Sequence, residues 1–140
     1  MHKLASRVTV ALAAAGLVTG FAHAQSAPIK IGFVAELSGP QAPLGQDQYD
    51  ALMLLIEQNG GKLGGVAVQV IKEDSQLKPD VANQVVDKLI EKDKVSIITG
   101  VTFSNIMMAV HKKVTDKGVF LIGSNAGPSP VAGAQCSPHK

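Results

Sequence analysis

Three stretches of the 140-residue chain combine residue types that could hold a small anion. They are residues 36–46 (ELSGPQAPLGQ), 100–105 (GVTFSN) and 123–130 (GSNAGPSP), each rich in Gly, Ser, Thr or Asn and poor in charge. Such segments offer backbone N–H groups and hydroxyls, and a helix opening after Ser104 would add a positive dipole end, which suits a carboxylate. The same residues also build ordinary tight turns, so spacing alone leaves both readings open. Catalytic groupings are sparse. Of the four histidines, His2 and His23 fall near the N-terminus, His139 is one residue from the end, and His111 lies between helical neighbours beside Lys112 and Lys113. His111 is expected on an exposed helix surface rather than as a base. Glu73-Asp74 has no partnering histidine or third carboxylate nearby in sequence and reads as a solvated pair or an edge contact. No GxGxxG or phosphate-cradling Walker loop occurs, and the single Cys136 excludes a Cys-rich zinc site and an intrachain disulfide framework. Met107-Met108 is expected in the core. No cofactor and no metal are expected, and catalytic residues are absent from this reading.

The elements that would present these loops alternate. Residues 29–35 (IKIGFVA) form an apolar run bounded by Pro28 and the Ser38-Gly39-Pro40 cluster, the pattern of a buried strand. Tyr49, Leu52, Met53 and Ile56 then repeat at i, i+3, i+4 and i+7, which predicts a helix over 45–59 stopped by Gly60-Gly61. Residues 66–71 (VAVQVI) are the second strand, with Gly60, Gly61, Gly64 and Gly65 making the turn before it. Pro79-Asp80 opens a helix with Ala82, Val85, Val86 and Leu89 on one face. Residues 95–99 and 119–122 are strands three and four. Between them Ser104 or Asn105 caps a helix that buries Ile106, Ala109, Val110 and Val114. Coil is expected from Gly123 to the end. This order predicts an α/β fold, an open parallel sheet with helices on both faces, with ligands at the carboxyl ends of the strands.

The first residues read differently. Met1 to Arg7 is short and basic, Val8 to Ala22 is apolar and uncharged, and Ala22-His23-Ala24 is a small-x-small sequence. That layout predicts a cleaved signal peptide over 1–24, a mature part over 25–140, and a bacterial periplasmic or secreted location. The net charge of +2 arises from Lys3 and Arg7, and the mature part balances 11 Lys against 11 Asp and Glu. A footprint for nucleic acid or an anionic membrane surface is thus lacking.

The chain resembles the periplasmic substrate-binding proteins of ABC transporters, of the leucine/isoleucine/valine-binding type. The resemblance is carried by Ile29-Lys30-Ile31-Gly32, Ser38-Gly39-Pro40 with Gly45, Asn59-Gly60-Gly61, Glu73-Asp74-Ser75 and Pro79 with Ala82, in that order, and residues 123–138 look like the branch binding aromatic and other small carboxylic acids. The family implies one lobe of a type I periplasmic-binding fold, a two-lobed clamp, monomeric when complete, that delivers a small carboxylate to a membrane permease. Carried over by position, Ser104 would hold the ligand carboxylate, Asn125 and Gly127 would contact the ligand with Ala126 between them, and Phe103 would line the pocket or cover the core. Leu44 stands where amino-acid binders often have an aromatic ring, and Gly127 where they often have Thr. Both departures count against a branched-chain amino acid. Family members also have a second lobe, so a chain ending at Lys140 is expected to be the incomplete first lobe. Two other classes stay open: a stand-alone single-lobe interaction or sensory protein, and an exported α/β enzyme.

Overall fold

β1 (Ile29–Ala35) lies at the centre of the sheet, and its five C-terminal residues are buried. The computed structural model describes residues 27–138, so the expected signal peptide, with His2 and His23, and His139 lie outside the described residues. The elements that follow are α1 (Ala42–Gln58), β2 (Lys62–Leu63), β3 (Val66–Asp74), α2 (Pro79–Asp87), β4 (Ile97–Gly100), α3 (Ser104–Asp116), β5 (Phe120–Gly123) and the single turn α4 (Ser129–Ala132). The strand order is β2-β3-β1-β4-β5. β1 pairs in parallel with β3 and β4, and β4 with β5. The chain therefore moves one way from β1 to β3, then crosses back over β1 to β4. The switch point falls between the carboxyl ends of β1 and β4, where open sheets of this class leave a crevice.

Several boundaries differ from the sequence expectation, each for a local reason. Residues 60–65 are more than a turn: Lys62 and Leu63 pair antiparallel with Ala67 and Val66, so the sheet is mostly rather than wholly parallel. Gly64 and Gly65 have φ of 57° and 82°, the left-handed pair that a tight two-residue hairpin requires. α1 begins before Gly45, because Pro43 sits in its first turn, where a missing N–H costs nothing. Of its expected buried face only Ile56 is fully buried; Tyr49, Leu52 and Met53 are half-buried. α2 continues into a π-helical segment, Lys88–Asp93, which ends at Lys94 in the left-handed region. α3 starts at Ser104 with Phe103 as its N-cap and no side-chain cap bond, so neither Ser104 nor Asn105 caps it. The coil expected after Gly123 contains α4.

The core runs from the sheet to α2 and α3. Val34, Val86, Leu89, Ile98, Ile106, Val110 and Val114 are fully buried in it. The faces read from α2 and α3 are thus the ones that pack. His111 is the correction: it is only 6% exposed, with Nδ1 3.2 Å from the Met108 carbonyl. Gln135, Cys136, Ser137 and Pro138 border the same cavity as His111, which lies on the buried side of α3 with Val110 and Val114. Cys136 itself is free and exposed. Met107 joins the core as expected, whereas Met108 is half-buried.

Candidate functional site

The loops after β4 and β5 are tied to one another at each successive residue. Ser124 donates from both N–H and hydroxyl to the Gly100 carbonyl, at 2.8 Å each. Asn125 Nδ2 donates to the Thr102 carbonyl at 3.0 Å, and the Ala126 N–H points to the Val101 carbonyl at 3.4 Å. The Ser124 hydroxyl also bonds to Gln48 Oε1 on α1. Together these contacts place the start of α1, the β4 loop and the β5 loop around the switch point. The role of Gln48, Ser124 and Thr102 was not read from sequence; a polar residue on the inner side of α1 opposite a Gly-Ser-Asn loop is the only signal they leave.

The residues singled out from sequence divide by exposure. Ser104, Asn125 and Gly127 are exposed, and Leu44, in the first turn of α1, is 41% exposed. Phe103 and Ala126 are half-buried and pack against the core, so for Phe103 the structure favours the covering role. Ser104 is the first residue of the 13-residue α3. The first-turn N–H groups of a helix have no acceptor within it, and the dipole there favours an anion. The Asn125 amide nitrogen spends one of its two donor hydrogens on the Thr102 carbonyl. The 240 Å³ cavity touches Ala126. Those of 660 and 290 Å³ touch none of the six residues. The polar loops form an open surface.

On the far side of β1, the β3 loop is locked to the β1 loop. Ser75 N–H donates to the Ala35 carbonyl at 2.8 Å and Ser75 Oγ to Glu36 Oε1 at 3.0 Å. Asp74 Oδ1 accepts the N–H groups of Leu37, at 2.9 Å, and Gln76, at 2.8 Å. Burial alone would raise the Asp74 carboxyl. The N–H groups of Leu37, Gln76 and Ser38 and the Ser38 hydroxyl outweigh it and hold Asp74 below the ordinary aspartate value. Glu73 instead pairs with Lys88, which also meets Asp93 at 3.1 Å. The Glu73-Asp74 pair is therefore a loop anchor and a surface ion pair. A depressed carboxyl adds stability in full above its unfolded value of about 3.9, lost as pH falls through the lower folded value. Urea unfolding between pH 6 and pH 3 is expected to show a shallower acid-limb loss for Asp74→Asn than for the unaltered chain. At pH 6 the same variant should be less stable by about 1–2 kcal/mol, the worth of charge-assisted bonds to backbone N–H. Parallel acid limbs would refute the assignment.

Among the described residues, no three His, Cys, Asp or Glu side chains are grouped to hold a metal ion, and no helix is long and apolar enough to cross a membrane.

Comparison with known proteins gives the same frame. A family model described as periplasmic binding protein matches residues 28–139. The Leu/Ile/Val-binding protein homolog 6 of Brucella abortus is 27% identical over 122 residues, covering 86% of this chain and 31% of that protein. A solute binding protein of an ABC transporter from R. palustris, solved in complex with benzoate, is 33% identical, with a TM-score of 0.76 over 81% of this chain and 31% of that one. The substrate binding protein of a branched-chain amino acid transporter from Streptococcus pneumoniae, solved with isoleucine, is 28% identical with a TM-score of 0.71, covering 78% of this chain and 32% of its own. The chain thus spans about a third of the length of these relatives. With a family model covering most of its length and solved relatives superposing at TM-scores above 0.7, the chain belongs to the periplasmic binding protein family, among the substrate-binding proteins of ABC transporters of leucine/isoleucine/valine-binding type.

Proposed function

We propose that this chain supplies the first-lobe half of the solute site of an ABC importer's binding protein, which captures a small carboxylate in the periplasm for delivery to a membrane permease. The observation that carries the reading is the bonding of Ser124, Asn125 and Ala126 to residues 100–102, which brings two loops together beside the N-terminus of α3. Ser104 would receive the carboxylate on its hydroxyl and N–H, with Asn125 and Gly127 contacting the rest of the solute and Leu44 at its rim. Gly127 offers only its N–H, and Leu44 no ring, so an aromatic or other organic acid suits these positions better than a branched-chain amino acid. The benzoate and isoleucine complexes of the relatives support a carboxylate as the common group. Residues 1–24 would direct export and be removed, and the chain would have no catalytic role.

Ligand held on this surface keeps one side in water, where each hydrogen bond and ion pair is weakened. The expected result is weak binding, with a Kd of about 1 mM or higher, equivalent to about −4 kcal/mol or less favourable. Isothermal titration of the purified chain with benzoate, isoleucine and related acids measures it, and micromolar affinity would overturn the half-site. Amide shifts on titration should centre on Ser104, Asn125 and Gly127; shifts centred elsewhere would reject the site.

A further inference from the structure

Two interior oxygens have no hydrogen-bond partner among the described residues: Glu36 Oε2 and Thr102 Oγ1. Glu36 is fully buried and Thr102 is 1% exposed. An unpaired polar atom in the interior costs about 1–3 kcal/mol, and native domains keep few of them. These two occupy related positions. β1 pairs with β4 through Val34 and Gly100. Glu36 and Thr102 are each the second residue beyond that pair, on the loops that leave the carboxyl ends of two neighbouring strands. A carboxyl oxygen accepts, and a threonine hydroxyl both donates and accepts, but the two do not bond directly. One water between them would satisfy both, as buried waters commonly do for otherwise unpaired groups.

We propose that a single internal water joins Glu36 Oε2 to Thr102 Oγ1, making Glu36 a positioning residue for the β4 loop. The carboxyl is anchored on its other side, since Glu36 Oε1 accepts the Ser75 hydroxyl. Thr102 in turn holds Asn125 through its carbonyl. The bridge completes a run of bonds beneath all the strand ends, from the β3 loop through β1 and the β4 loop to the β5 loop. Val101, a β-branched residue at φ 49°, is fully buried and donates its N–H to the Val34 carbonyl at 2.7 Å, so the loop on which Thr102 stands is held in a conformation that such residues otherwise avoid. Ser104 is two residues beyond Thr102, so the bridge sets where its N–H and hydroxyl point. This step rests on the reading of Ser104 as a solute contact.

Amide hydrogen exchange of Thr102, Phe103 and Ser104, read by NMR without ligand, tests the bridge. Thr102→Val, which keeps the shape and removes the hydroxyl, is expected to speed exchange there about tenfold. Thr102→Ser, which keeps the hydroxyl, should restore it, and Ile31 and Leu121 in the sheet should exchange as before. Glu36→Gln combined with Thr102→Val should loosen the loop no more than Thr102→Val alone, because without the Thr102 hydroxyl no bridge is left for residue 36 to complete. Unchanged exchange in Thr102→Val, no restoration by Thr102→Ser, or additive effects in the double variant would each overturn the proposal. If Glu36→Gln does not fold, the Thr102→Val and Thr102→Ser pair decides alone. A parallel benzoate titration separates the two readings. Intact loop protection without shifts at Ser104 would reject the solute site and leave the bridge standing; shifts at Ser104 with exchange indifferent to Thr102→Val would do the reverse.

Discussion

Gly100→Ala is expected to cost about 3 kcal/mol or more, a large share of the roughly 5–15 kcal/mol that typically holds a domain folded. Gly100 closes β4 at φ 95°, and a Cβ there would lie 2.4 Å from the Val34 carbonyl oxygen. The obstacle is backbone of the central strand, so it cannot swing aside as a side chain would. Two penalties add: the unfavourable φ, worth about 1–3 kcal/mol, and overpacking of similar size. The natural control is Gly64→Ala, which has φ 57° but nothing within 4 Å of the added carbon. It should show the backbone penalty alone, about 1 kcal/mol. Urea midpoints followed by circular dichroism compare the two. Equal losses would mean that the approach of Val34 to β4 is looser than described. Because Gly100 also accepts both Ser124 bonds through its carbonyl, a partly folded Gly100→Ala chain should show increased exchange at Ser124 and Asn125.

The second large effect is expected at Leu89→Ala, a loss of about 3–5 kcal/mol from lost burial and the cavity left behind. Leu89 is fully buried, and its methyl carbon Cδ1 lies only 2.8 Å from where a Cβ on Gly32 would be, so it fills the space above the middle of β1. It projects from the π-helical segment that extends α2, and its backbone carbonyl accepts the Val95 N–H at 3.1 Å as the chain turns toward β4. Leu54→Ala on α1, where the side chain is 55% exposed, should cost less than about 1 kcal/mol. Denaturant unfolding of both variants checks the ranking. A Leu89 variant as stable as the Leu54 variant would show that α2 is not seated on β1.

What could be read from the residues was what repeats. The apolar run 29–35 and the spacing of Ile106, Val110 and Val114 name a central strand and a buried helix face, because burial leaves a period in sequence. What escaped depended on contacts between distant segments. His111 sits beside two lysines and reads as surface, yet it shares the buried side of α3 with Val110, Val114 and Thr115. The hairpin at 62–67 is two residues deep on each side, too short to carry a period, although its Gly-Gly pair was a usable signal. The π-helical segment follows from closing α2 onto β4, which no local propensity encodes. The polar loops after the strands were legible from composition, whereas Ser104, Asn125 and Gly127 within them rest on the family resemblance. The bonds that bind those loops together were not legible, because Ser124 and Gln48 are 76 residues apart in sequence.

The position of β1 also sets a timetable. The strand made first is the one that needs neighbours on both sides, and its second neighbour, β4, is complete only at residue 100. Sixty-five residues of chain separate the end of the IKIGFVA segment from the point at which both flanks exist. Until β3 is complete at residue 74 it is a nearly uncharged, β-prone stretch with two open edges, and until β4 follows it keeps one, the kind of segment that pairs with other chains when crowded. The first strand of the chain is thus closed on both edges only by residues from its last third.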